Sequence, residues 1–142
     1  MTSDGCVVCR EPKHSQAYAC ARCKAILDRV ETRKDSEGVG RRVDRQARLQ
    51  ALRESWRDGA FHCFYTGVRL IDDRARWRDH RYVSFEHRTP GDESSVVVTS
   101  NLINRMKTDL SEPEFKLLVA ELARRFETGK FNESAFPEGK VP

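Results

Sequence analysis

Residues 82–115 read YVSFEHRTPGDESSVVVTSNLINRMKTDLSEPEF, and the fold turns on this stretch. Tyr82, Val83, Ser84 and Phe85 alternate as a strand does, with Glu86 and His87 at the strand's end. Pro90 and Gly91 supply a turn, and the β-branched run Val96, Val97, Val98 makes a second strand. From residue 101 to 107 the pattern becomes helical and carries Asn104. Ser111, Glu112, Pro113 and Glu114 then form a capping box: a serine N-cap, a proline in the first turn and a glutamate three residues on. The helix that follows places Phe115, Leu118, Val119, Leu122 and Phe126 at a 3.6-residue period, a face expected to be buried core. Strand, turn, strand and helix in this order predict a ββα hairpin within an α+β chain.

Upstream, residues 61–70 suggest a short strand turning at Gly67, and residues 72–81 a charged loop. Residues 41–58 read as a helix with a narrow apolar stripe of Leu49, Leu52 and Trp56, closed by Gly59. Its remaining surface is arginine-rich, and Arg41, Arg45 and Arg48 are candidates to track a phosphate backbone; the alternative is a solvated helix face. Residues 34–40 read as a linker. The expected organisation is a cysteine module at 1–34, the arginine helix at 41–58, the hairpin and its following helix at 59–129, and a loosely ordered tail at 130–142.

With 38% hydrophobic residues and a mean hydropathy of -0.70, the chain predicts a thin core that needs support beyond apolar burial. Lys plus Arg number 26 against 22 for Asp plus Glu, a net charge of +4, which is compatible with a nucleic-acid partner without specifying one. No apolar run approaches the ~20 residues that span a bilayer, and the N-terminus lacks a signal-peptide layout. A cytoplasmic protein without a membrane partner is therefore expected, and in a reducing compartment its five cysteines favour metal or free thiols over disulfides.

Four of those cysteines, Cys6, Cys9, Cys20 and Cys23, form two C-x2-C pairs. Two thiolates at that spacing grip one ion from a tight turn, and two pairs complete the tetrahedral shell that zinc prefers. A closed four-sulfur shell leaves no open position for substrate, so the expected zinc is structural and stabilises the N-terminal module. Cys63 stands alone and is expected to act as a small apolar residue.

The stretch Asn104-Arg105-Met106-Lys107 through Asp109-Leu110-Ser111 to Phe115, preceded by Glu86-His87, resembles the HNH endonucleases of phage and bacterial type. Cys63-Phe64-Tyr65-Thr66-Gly67 resembles a segment often found upstream in that family, and together the match covers about a third of the chain. The resemblance implies a ββα-metal nuclease acting on DNA. It places Glu86 where the family usually has an aspartate metal ligand, His87 at the general base and Asn104 at the helix-borne ligand. Ser95 falls where the family has a middle asparagine that orients the base. Hard oxygen donors suit Mg2+ or Mn2+. In that scheme Arg105 and Lys107 neutralise flanking phosphates. The competing expectation is a non-catalytic zinc protein that binds nucleic acid and carries a degenerate hairpin.

Overall fold

A computed structural model describes residues 5–14, 16–28 and 44–138. In chain order these hold helices α1 (Ala21–Leu27) and α2 (Arg45–Ser55), strands β1 (Trp56–Arg57), β2 (Ala60–Phe61), β3 (Val83–His87) and β4 (Val96–Ser100), then helices α3 (Asn101–Lys107) and α4 (Glu112–Thr128). The fold is α+β, with two small antiparallel sheets. Arg41 and the 34–40 stretch lie outside the described residues. Among the described residues, no helix is long and apolar enough to cross a membrane.

The β3–β4 hairpin lies at the centre. Its register runs from Val83 opposite Ser100 to His87 opposite Val96, and every residue of β4 is buried. A strand buried on both faces needs cover on each side, and two helices provide it. The face bearing Val83, Phe85, Val96 and Val98 packs on α2, where the Arg48 guanidinium lies 4.8 Å from the Phe85 ring. The opposite face, bearing Ser84 and Glu86, is crossed by α3. Each buried valine contributes about 1.5–3 kcal/mol of transfer free energy. Ser100 ends β4 and caps α3, its hydroxyl accepting from Ile103 N at 3.1 Å. The chain therefore passes from strand to helix without a loop, and Asn104 is held over the sheet.

The arginine helix ends earlier than its sequence suggests. Trp56 is already extended, and β1 turns back into β2 through Asp58 (φ 50°) and Gly59 (φ 75°). Two consecutive positive φ values make the two-residue turn that Asp-Gly favours, so Gly59 closes a hairpin and not the helix.

The capping box of α4 forms as expected, with Ser111 N donating to Glu114 Oε1 at 3.0 Å and Glu114 N to Ser111 Oγ at 3.3 Å. The face predicted to be core does not bury. Phe115 packs edge-on against Tyr65, with centroids 6.0 Å apart, but Val119, Leu122 and Phe126 are 41%, 42% and 81% exposed. The first turn of α4 reaches the hairpin, Glu112 N donating to Arg88 O at 2.9 Å; farther along, the helix meets the turn Glu133–Ala135, which folds back along it.

Candidate functional site

The N-terminal cysteines converge. Cys6 and Cys9 sit in a turn closed by Arg10 N donating to Cys6 O at 3.0 Å, with Arg10 at φ 66°. Gly5 is required beside it, because an added Cβ would lie 2.9 Å from the Arg10 carbonyl oxygen. Cys20 caps α1, its sulfur accepting from Cys23 N at 3.5 Å, and Val8 N donates to Cys6 Sγ at 3.4 Å. The four sulfurs lie within 4.8 Å of one another, and Cys9 and Cys20 Sγ are 3.6 Å apart. A tetrahedron with Zn–S bonds of about 2.3 Å has edges of about 3.8 Å, so the cluster is a candidate metal centre of zinc dimensions. Burial raises the Cys6 thiol, yet backbone N–H groups of Cys9, Cys20 and Val8 outweigh it and bring it to about 6. Burial pushes Cys23 upward, and the neighbouring sulfurs add to the effect. Four converging thiols cannot all ionise without a cation. Cys63 lies apart, buried with its Sγ 3.2 Å from Thr99 Oγ1, in a packing position.

In the hairpin the structure brings together some of the expected residues and separates others. Side chains alternate along a strand, so Ser84 and Glu86 share the face under α3 while His87 turns to the other. Asn104 Nδ2 donates to Ser84 Oγ at 2.7 Å, leaving its amide oxygen as the atom able to bind a cation. Glu86 is buried on the same face, and Lys107 Nζ reaches its Oε1 at 3.2 Å and the His87 carbonyl oxygen at 2.7 Å. Lys107 is thus fully buried and does not face solvent where a phosphate would lie. Arg48 is likewise buried over Phe85, packing in place of surface charge. Arg45 is exposed but engaged by Asp28 Oδ1 at 2.5 Å and Tyr18 OH at 2.8 Å. Arg105 alone of the expected phosphate contacts among the described residues is exposed and in no ion pair, in a shallow hollow it shares with Asn104, Thr108 and Asp109.

His87 is 8% exposed, and its Nε2 lies 3.2 Å from Glu93 Oε2, an ion-pair distance at an angle too bent for a regular hydrogen bond. The resemblance pointed to Ser95 for this role, but Ser95 Oγ serves its own loop, donating toward Asp92 O at 2.8 Å and accepting from Thr89 N at 3.1 Å. Glu93 was missed in the sequence because acidic residues in a turn are ordinarily solvated. Its neighbour Asp92 carries the local structural task, accepting from the Ser94 hydroxyl and from Ser94 N, and those bonds hold its carboxyl below the usual range. Glu112 was also unassigned; it joins Arg88 and Lys116 beside the hairpin.

Comparison of the chain with protein families, curated proteins and solved structures finds no match. The site must therefore be read from its own chemistry. A carboxylate and an amide oxygen under α3 form a hard donor set, which fits a divalent cation in kind, with Lys107 sharing the carboxylate.

Proposed function

We propose that the chain is a metal-dependent endonuclease of HNH type that hydrolyses phosphodiester bonds in DNA. What carries this reading is the ββα hairpin itself, with Glu86 and His87 consecutive at the end of β3 and Asn104 brought over that strand by α3. In this reading His87 and the Glu86 and Asn104 oxygens, on opposite faces of β3, act on one phosphate at the strand end. His87 accepts the proton of the attacking water. Glu93 holds the ring in place from the loop side. Glu86 and Asn104 would hold Mg2+ or Mn2+, which would supply charge neutralisation at the phosphate and the departing oxygen. Arg105 pairs with a flanking phosphate. The cysteine cluster holds a structural zinc outside this chemistry.

A second reading is favoured by two observations: Lys107 already neutralises Glu86, and His87 lies on the opposite face of β3. It makes the protein a non-catalytic zinc module that binds nucleic acid through a degenerate hairpin. Incubating supercoiled plasmid with the purified chain and Mg2+ or Mn2+ separates the two. The nuclease reading expects nicking that falls at least ~100-fold in His87→Ala with circular dichroism unchanged. Plasmid binding without nicking by the wild-type chain, with either ion, selects the second reading.

A further inference from the structure

Loop 72–81, which the site description does not use, is built to present charge and an aromatic ring. Its acidic residues are occupied internally. Asp72 pairs with Arg22 at 2.7 Å, Asp73 caps the turn Arg74–Arg76, and Asp79 pairs with Arg76 at 2.8 Å while accepting from Arg81 N at 2.9 Å. Arg74, Arg78 and Arg81 are exposed, and among the described residues none has a carboxylate partner. Between them Trp77 is 53% exposed, with the Arg78 guanidinium 4.7 Å from its ring centroid. A half-exposed tryptophan among unpaired arginines is an unusual surface, because its apolar area would ordinarily be covered.

The loop is fixed beside the candidate site. Asn101 Nδ2 donates to Trp77 O at 2.8 Å and Asp79 O at 3.3 Å, and Leu102 N donates to His80 O at 3.1 Å. Arg105 is four residues after Asn101 and hence on the same side of α3, one turn along. The loop cations therefore continue toward Arg105 and the shallow hollow that Asn104, Arg105, Thr108 and the Asp109 carboxylate line.

We propose that loop 72–81 and the adjoining side of α3 form a docking surface for an unstacked nucleic-acid strand. Trp77 stacks on a splayed base, and Arg74, Arg78, Arg81 and Arg105 neutralise the phosphates on either side. The combination fits a single strand more closely than a closed duplex, because a tryptophan face offers a partner only to a base that has left its own stack. The proposal rests on the reading above only for the class of partner, and its test does not require cleavage.

The test is fluorescence anisotropy of labelled oligothymidylate, oligouridylate and a blunt duplex with the full chain, without added divalent ion. Trp77→Ala is expected to weaken single-strand binding roughly five- to a hundredfold, while Trp77→Phe keeps it within about threefold. Arg78→Ala and Arg105→Ala are each expected to flatten the slope of log K against log salt by about 0.7. Binding unchanged in Trp77→Ala, or a blunt duplex bound as tightly as the single strands, overturns the surface proposed here. A chain that binds through Trp77 but leaves plasmid intact overturns the nuclease reading alone.

Discussion

Lys107 shows how a single side chain can be read correctly for spacing and wrongly for direction. Three residues after Asn104, it must share that residue's side of α3, and the strand-to-helix junction at Ser100 turns that side inward. Its ammonium donates to Glu86, to the His87 carbonyl and to Leu110 O. Removing one partner of a buried ion pair costs about 3–5 kcal/mol, because the other charge stays desolvated. Lys107→Ala should lose stability of that order in urea denaturation, and Glu86→Gln with Lys107→Met should recover most of it. Equal losses in the single and double variants would show that the pair is not coupled. Glu112 gives a pH dependence of definite sign. Hydrogen bonds from Arg88 and then Lys116 hold its carboxyl below the ordinary value in the folded chain. Its contribution is therefore present above the unfolded value of about 4.3 and is lost as pH falls through the folded one. Arg88 is half exposed, so the amount is modest, about 1 kcal/mol or less. Glu112→Gln should flatten the acid limb of Tm against pH, and an unchanged limb would remove this pair from the account.

The elements divide according to how local their causes are. The capping box, the valine strand and the helical pattern at 101–107 were legible because each depends on residues within one turn of itself; that Ser100 joins strand to helix without a loop was not read. The end of α2 was not: a helix reading and a hairpin reading both use Trp56 and Gly59, and pairing with Phe61 decides between them. The apolar side of α4 was legible as periodicity, but periodicity does not say whether a partner exists. Of that side Phe115 alone is buried, edge-on to Tyr65 in the segment upstream of the hairpin, and Leu118 is half-buried. At the candidate site the spacing of Glu86, His87 and Asn104 was readable, whereas the Glu93 contact depends on the path of a turn. Phe126, 81% exposed, should tolerate Ser with a change within about 0.5 kcal/mol in the monomer. A loss above about 2 kcal/mol, or a Tm that rises with protein concentration in the wild type only, would show that this side is covered in solution.

Across the molecule, the cysteines and the hairpin share one interior. Cys6, Cys9, Cys20 and Cys23 lie in the same buried cluster as Leu52, Phe61, Val83 and Val98, joined through Ile26 and Leu27 of α1 and Ala51 of α2. Arg22 reinforces the junction from outside, ion-paired to Asp72 and lying 5.1 Å from the Trp56 ring. A small, polar chain has little apolar area to lose, so a metal that orders α1 also supports the wall against which α2 packs. The purified chain should carry about one zinc per molecule, and a strong chelator should lower the single unfolding transition as a whole, followed by circular dichroism and by Trp56 fluorescence in Trp77→Phe. Cys20→Ser isolates the thiolate, since serine keeps the N-cap of α1, and it should reproduce the chelated behaviour with the hairpin destabilised along with α1. Two separate transitions, with Trp56 reporting only the chelator-insensitive one, would divide the interior and leave the cysteine module an independent appendage.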